Sequence, residues 1–499
     1  MINRIVFEDE ITLWWQEEDL AATGLLYQCY LDDVYHGTTD KTHYTFASLA
    51  PDTTYRIRLE VTADGAHLRT ELLTVSTGKA KKRLDVTAAP YGAIGDGETL
   101  ATAALQRALD DCTGEDCVYL PAGTYLTGAL DVHSDTEIYL APGAVLQGTT
   151  DPGNYLPKIP SRFEGYEMEC YRSLINIGRL SSGEGYNCKN VVIRGAGSIL
   201  GGGAALAKNT VEAERERLRE YLSEHAEYIK TCDSENAFLG RARGRLINIS
   251  NADGVVLAGL SLGYGASWTV HFVYSRNVVT YGCSIFSLGV ENGDGWDPDS
   301  SEDCTVFDTL FETHDNGIAI KSGKNPEAQR IGRPTKNIRI FDCRGSSDIA
   351  IGSELSGGVE GVYIWHCTML NSWGINIKTT AERGGYVRNV NVFNSSVSSI
   401  TVRTRLSFNN DGESANELTE LRDFRFVNLR LQGVFVNAYA GGRRSLIPPI
   451  SIDGFADKSH PIENVLIRNI WIPEREDGTM QAIVGRNVKN MTIENLQME

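Results

Sequence analysis

The hydrophobic pattern of the chain is a repeat of short apolar runs set off by single turn residues. An Asn, Asp or Gly precedes each run: Asn190-Val191-Val192-Ile193, Gly254-Val255-Val256-Leu257, Asn277-Val278-Val279, Asp303-Cys304-Thr305-Val306, Asn337-Ile338-Arg339-Ile340. Gly361-Val362-Tyr363-Ile364, Asn389-Val390-Asn391-Val392, Asp423-Phe424-Arg425-Phe426, Asn464-Val465-Leu466-Ile467 and Asn490-Met491-Thr492-Ile493 continue the series. From Val255 the steps are 23, 26, 34, 24, 28, 34, 41 and 26 residues. A period in the twenties with loop insertions is a solenoid signature. Each strand is too short to bury its apolar face alone, so the units must stack into parallel sheets around one continuous core. The expectation is an all-β chain in which residues 84–499 form a right-handed parallel β-helix.

Helical periodicity is nearly absent after residue 112, which argues against an α/β barrel. Thr102 is expected to N-cap a helix running to Cys112, with Leu105, Leu109 and Cys112 on one face, closing the N-terminal end of the solenoid. Val211 to Tyr228 is the other helical stretch, part of an insertion around 203–240; it reads as a solvated excursion, a lid or a dimer contact.

Residues 1–78 have a different texture. ITLWW, LLYQCYL, THYTFASL and TYRIRLEVTA are strand-like and bounded by Asp, Gly and Pro, which predicts a small β-sandwich. Leu49-Ala50-Pro51-Asp52-Thr53-Thr54-Tyr55 resembles the L-x-P-x-T-x-Y turn of fibronectin type III modules. A spacer or packing role is expected, with carbohydrate contact through Trp14 or Trp15 as the alternative. Residues 79–83 (KAKKR) form a basic linker with no partner assigned.

Composition narrows the function. Among 499 residues, 47 basic and 65 acidic side chains leave a net charge of −18, which disfavours nucleic acid and demands a local cationic pocket for any polyanionic sugar. No stretch reads as a membrane span, and the opening MINRIVFEDEITLWW lacks a basic and then apolar leader, so the expected location is cytoplasmic. The ten scattered cysteines show no C-x-x-C and no zinc spacing, and are expected as reduced thiols.

A second ladder carries the chemistry. Trp296-Asp297-Pro298-Asp299-Ser300, Ile318-Ala319-Ile320-Lys321-Ser322, Ile349-Ala350-Ile351-Gly352-Ser353 and Ile375-Asn376-Ile377-Lys378-Thr379 follow one another by 22, 31 and 26 residues. These are equivalent positions on four coils, about 4.8 Å apart. Just before them, Asp294, Asn316, Ser347 and Trp373 share a column, and Asp315 sits one position earlier, in the column of Gly293. Two carboxylates offset in this way face one groove without touching. Inverting hydrolysis of a glycosidic bond uses such a pair, roughly 6.5–9.5 Å apart, with room for a water.

The blocks around these residues resemble glycoside hydrolase family 28, the polygalacturonase family. Asn292 to Ser301 (NGDGWDPDSS) is similar to its N-T-D-G-x-D-P signature, and His314 to Gly323 (HDNGIAIKSG) to its G-D-D-x-I-A-I-K-S-G block. Ile349 to Glu354 (IAIGSE) resembles its G-H-G-I-S-I-G-S-E block, and Asn376-Ile377-Lys378 its R-I-K block. Tyr91 to Gly97, Tyr119 to Tyr125, Arg162 to Gly165 and Ser267 to His271 also look like this family, and the fibronectin-like module is similar to that of some exo-acting members. The resemblance implies that Asp315 is the general acid, that Asp294 is one of two aspartates activating water, and that Lys378 holds the substrate carboxylate. The reaction implied is single-displacement hydrolysis of α-glycosidic bonds in galacturonate-containing oligosaccharides, with no metal and no cofactor.

The departures have physical consequences. Asn316 stands where the second water-binding aspartate is expected; an amide orients water but cannot take its proton, leaving Asp294 as the only base. Ser347 replaces a histidine, with Ser346 and Asp348 for its flanking glycines, and His314 beside the acid is a candidate substitute. Asn376 replaces an arginine, weakening bidentate carboxylate recognition. Arg383, Arg388, Arg403 and Arg405 are near enough in sequence to compensate, and His271 is a further candidate substrate contact. Exo action is expected, with the 203–240 insertion as the candidate end-closing element. The competing readings are a detuned or non-hydrolytic carbohydrate-binding solenoid, a glycosidase for rhamnogalacturonan fragments, and a pectate-lyase-like eliminase. A homo-oligomer remains open.

Overall fold

A computed structural model describes residues 2–183, 185–231, 240–406, 412–433, 435–438, 444–474 and 482–498. The chain divides into two compact units, Met1–Arg83 and Leu84–Glu499.

In the first unit, strands Ile2–Val6, Glu10–Trp15 and His43–Ala47 make one antiparallel sheet. Val34–Thr39, Leu25–Leu31, Thr54–Ala63 and Ala66–Ser76 make the other. Alternate residues Ile11, Leu13 and Trp15 face Tyr27, Cys29, Leu31, Ile57, Leu59 and Val61 across a single core. The Tyr55 hydroxyl accepts a hydrogen bond from the Ala50 amide at 2.9 Å. That is the corner which ties a sandwich strand back to the turn before it.

The second unit is a right-handed parallel β-helix. Its turn residues explain the repeat seen in the sequence. Asn190, Asn277, Asp303, Asn337, Asn389, Asp423, Asn464 and Asn490 all have φ between 54° and 63°. Only Gly, Asn and Asp enter this left-handed region readily. Their side chains also bond from coil to coil, as Asn490 Nδ2 does to Asn464 Oδ1 at 3.0 Å and Asn190 Nδ2 to Asp135 Oδ1 at 2.8 Å. The apolar residue after each turn stacks in one column: Val191 on Val255 on Val278, and Ile338 on Val362, Val390, Phe424, Val465 and Met491. A parallel aromatic file, Tyr281, Phe307, Phe341 and Trp365, has centroid spacings of 4.9, 4.9 and 4.4 Å, the spacing of the strands themselves.

The helix Thr102–Asp111 buries Leu105, Ala108 and Leu109 in the solenoid core. Thr102 is its first residue rather than its cap. The Thr102 hydroxyl accepts from the Gly128 amide at 2.8 Å, so Ala101 takes the cap position without a side-chain bond, and Cys112 lies just past the end. The expected insertion contains helices Gly203–Arg217, Arg219–Glu224 and Ala226–Ile229; residues 232–239, with Cys232, lie outside the described residues. Among the described residues the other nine cysteines are free thiols, and no helix is long and apolar enough to cross a membrane.

Among the described residues, an 11-stranded parallel sheet runs from Leu130–Val132 to Ile483–Arg486 and forms the floor on which the candidate site is built. Its inward residues are apolar. Its outward residues form a polar file: Asn176, Asn248, His271 and Asp297 on successive strands, then Ala319 and Ala350, then Asn376, Thr401 and Ser451.

Candidate active site

Trp296 pairs with Ile318, Ile318 with Ile349, and Ile349 with Ile375, which is the register the sequence columns require. The main chain leading into these strands stacks as well: Gly295 N donates to Asn316 O at 3.0 Å, and Gly317 N to Asp348 O at 3.0 Å. A Cβ on Gly295 would sit 2.4 Å from Gly317 O, so coils this close demand glycine after Asp294. The register thus brings Asp294 and Asn316 to the same end of neighbouring strands, with Asp315 at the turn beside them.

Asp294 is 3% exposed, and Lys321 Nζ stands 3.3 Å from its Oδ2. Burial pushes the Asp294 carboxyl up to about 7; Lys321 pulls it down, and the charge of Asp315 pushes it further up. Asp315 is exposed, and its Oδ1 accepts from the Asn316 amide at 2.9 Å. Beneath them Asp297 is fully buried with no hydrogen-bond partner for either carboxyl oxygen among the described residues. Burial, first, and then the charge of neighbouring Asp294 push the Asp297 carboxyl well above its usual value. Burial works against the Lys321 charge, yet Glu354, Asp294 and Asp297 around it keep the ammonium well above its usual range. Lys321 Nζ lies 3.6 Å from Glu354 Oε2 and 4.9 Å from the Trp268 ring centre.

Asn316 is held from both sides. Lys378 Nζ donates to its Oδ1 at 2.9 Å, and its Nδ2 donates to Asp348 Oδ1 at 2.9 Å. Asn376 Nδ2 donates to Asp348 Oδ2 at 3.2 Å, and Arg403 Nε donates to Asn376 Oδ1 at 3.2 Å. Arg403 follows Lys378 in the next strand and lies over the Trp373 ring, 3.8 Å from its centre. Lys378, Trp373 and Arg403 are only partly buried, so this end of the floor meets solvent.

The other end is covered. The antiparallel hairpin Ile159–Phe163 and Tyr166–Cys170 lies over this end, with Ser161 bonded to Asn248 and Arg162 to Asp299. Arg162, fully buried, donates to Asp299 Oδ1 at 2.7 Å and to Ser300 Oγ at 2.8 Å. Phe163 stacks on Trp268 at 5.4 Å. At the hairpin tip, Gly165 O accepts from Lys324 N at 3.1 Å, and a Cβ there would meet Lys324 Cβ at 2.4 Å. Arg241 bridges Glu164 at 3.5 Å and Glu291 at 2.8 Å, while Arg243 donates to Asn292 Oδ1 at 2.7 Å. These arginines fix the turn that leads into Asp294.

Five of the sequence candidates therefore meet: Asp294, Asp315, Asn316, Asn376 and Lys378. The others differ. Ser347 does not face Asn316; its hydroxyl is used by Thr313, whose amide donates at 3.0 Å and whose Oγ1 lies at 2.7 Å. His314 is exposed beside the acid, its Nδ1 accepting from Gly289 N at 3.4 Å. His271, expected to touch substrate, is fully buried under the hairpin, 4.6 Å from the Trp268 ring centre and 3.5 Å from Asp299. Burial lowers its pKa to about 3, so it is a neutral packing group. Arg383 is also buried, its guanidinium on Ser353 O at 3.0 Å and Asn325 Oδ1 at 2.9 Å, positioning a loop rather than facing the groove. Arg388 and Arg405 pair with Glu420 and Asp453, which leaves Arg403 as the arginine at the floor. Lys321, Asp348 and Asp297 were all within the motif blocks but carried no assigned role in the sequence.

A parallel β-helix with paired carboxyl groups at a groove walled at one end defines a carbohydrate-active enzyme of the glycoside hydrolase class. Residues 171–419 match glycosyl hydrolases family 28, and residues 86–151 match the rhamnogalacturonase A/epimerase, pectate lyase-like family. A probable polygalacturonase of Vitis vinifera is 30% identical over 351 residues, 64% of this chain and 65% of that protein. The exo-poly-alpha-D-galacturonosidase of Dickeya chrysanthemi is 25% identical over 452 residues, 85% of this chain and 73% of the relative. The structure of a Yersinia enterocolitica family 28 exopolygalacturonase superposes with a TM-score of 0.82 at 22% identity, covering 100% of this chain and 96% of that one. The chain belongs to glycosyl hydrolases family 28.

Proposed function

We propose that the protein hydrolyses α-glycosidic bonds in galacturonate-containing oligosaccharides from a chain end, with inversion at the anomeric carbon. Asp315 donates a proton to the departing glycosidic oxygen. Asp294 accepts a proton from the attacking water, Asn316 orients that water, and the bond to the anomeric carbon forms as the glycosidic bond breaks. Lys378 and Arg403 receive the uronate carboxylate, the guanidinium supplying the fork that Asn376 lacks.

The observation that carries the exo reading is the asymmetry of the floor. On one side of the Asp294–Asp315 pair the hairpin Ile159–Cys170 lies over the floor, with its Arg162 and Phe163 buried against it. On the other side Asn376 and Thr401 are buried in the floor, while Lys378, Trp373 and Arg403 beside them are partly exposed. A polymer cannot thread through a groove walled at one end, but a chain terminus can enter it.

The test is incubation with di- and trigalacturonate, followed by proton NMR of the first product. Release of a reducing end in the β configuration from the α-linked substrate is expected. An unsaturated product would assign a lyase instead, and binding without turnover would assign a carbohydrate-binding solenoid.

A further inference from the structure

We propose that Asp348 is the positioning residue for Asn316, and that the acid at 348 and the amide at 316 act as one exchangeable pair. The inference rests on the hydrolytic reading above. An amide group looks alike from either side in shape, but not in charge: one end donates, the other accepts. At Asn316 the choice is fixed by its neighbours. Lys378 Nζ, a pure donor, meets Oδ1 at 2.9 Å, and Asp348 Oδ1, an acceptor, meets Nδ2 at 2.9 Å. Turning the amide over would set an oxygen against a carboxylate and an N–H against an ammonium.

The carboxylate is itself anchored. Asp348 is 1% exposed, and its second oxygen accepts from Asn376 Nδ2 at 3.2 Å. Asn376 Oδ1 in turn accepts from Arg403 Nε and Thr401 Oγ1, both at 3.2 Å. The chain of bonds runs from Arg403 at the open end, through Asn376 and Asp348, to Asn316 beside Asp294. It leaves Asn316 one N–H and one lone pair for water in the groove. Lys378 is the cation facing Asp348, and Asp315 is the other charge it feels; burial raises the Asp348 carboxyl, while Lys378, Asn316 and Asn376 pull it down.

Two single changes should break the pair, and their combination should mend it. Asp348→Asn alone faces Asn316 with a second amide and removes the anion that orients it. Asn316→Asp alone places two carboxyl groups at hydrogen-bond distance, where one must hold a proton. The exchange Asn316→Asp with Asp348→Asn keeps every contact. The amide, moved to position 348, accepts from Asn376 and donates to the carboxylate, moved to position 316, and that carboxylate accepts from Lys378.

The wild type, both single variants and the exchange are compared for trigalacturonate hydrolysis across pH and for thermal unfolding from about pH 4, near the ordinary carboxyl value, to about pH 8. Each single variant should lose at least about tenfold in kcat, and the exchange should recover at least about tenfold over either, as contacting residues that couple do. In Asn316→Asp the shared proton means a carboxyl pKa raised on folding. Its stabilisation is present at low pH and lost as pH rises, so its Tm should fall against wild type towards neutral pH, and the exchange should not show this fall. The kcat–pH profile of Asn316→Asp should shift as well, which a merely structural contact would not cause. Additive effects in the exchange, or Asn316→Asp faster than wild type, overturn the proposal. If the wild type releases no sugar, the hydrolytic reading falls, and the melting data alone decide whether 316 and 348 are coupled or additive.

Discussion

In the proposed reaction Asp294 sets the pH response of the site. Its pKa of about 7 comes from burial that Lys321, 3.3 Å away, only partly offsets. As the base of the proposed reaction it has to be ionised, so kcat/KM should rise with pH and level off above about 7, losing roughly tenfold for each unit below. A rate that instead falls above about 7 would make Asp294 the proton donor and reverse the two roles. Asp315 is exposed, so Asp315→Asn should leave Tm unchanged while lowering kcat by about 10²- to 10⁴-fold, the range for loss of a general acid. Arg403→Ala should raise KM for galacturonate oligomers with a smaller effect on kcat, since a charge-assisted hydrogen bond contributes about 1.5–3 kcal/mol. The placement of Asp294, Asn316 and Lys378 at one groove was legible in the sequence, because strand register alone decides it. It was less so where a side chain's direction mattered. Ser347 and Asp348 are adjacent, yet the column that pointed to Ser347 says nothing of its turning to Thr313 while Asp348 reaches Asn316.

Among the elements, the hairpin Ile159–Cys170 is the one that converts an open floor into a walled groove. Arg162 holds it down through Asp299, both fully buried. Burial penalises the Asp299 carboxylate, yet Arg162 keeps its pKa below the usual value. Arg162→Met therefore strands a buried anion and should cost about 3–5 kcal/mol in chemical denaturation. Replacing the tip, Phe163–Tyr166, with a short turn opens the walled end. Products from polygalacturonate should then shift from terminal release towards internal cuts, with viscosity falling early in the reaction; an unchanged product pattern would place the exo determinant elsewhere. The sequence pointed to the 203–240 insertion for this closure, and Arg241, the residue after it, pairs with Glu164 at the hairpin tip. Arg162 to Gly165 was visible as a motif, but its target, Asp299, is 137 residues away in the chain, and only folding brings them together.

Across the whole molecule, the repeat was readable because a local rule and a global one coincide. Each coil needs a left-handed turn residue, and the same Asn or Asp then bonds to the coil beside it. The sandwich was readable for a similar reason, since Tyr55 both starts a strand and ties down the preceding turn. Each unit has its own buried core, Ile11 to Val75 in the first and Val86 to Ile472 in the second. All the site residues, from Arg162 to Arg403, belong to the second unit. A unit with its own core and a complete site should fold and act alone. A fragment of residues 79–499, cut so that the strand Lys82–Asp85 stays whole, should therefore keep kcat/KM on trigalacturonate within about threefold of the full chain. The full chain should also show a separate unfolding transition for residues 1–78 in calorimetry, because the small core there contributes its own cooperative unit. Loss of activity in a fragment that still melts cooperatively would mean that the sandwich supplies something the groove needs, and the division of labour between the units would have to be redrawn.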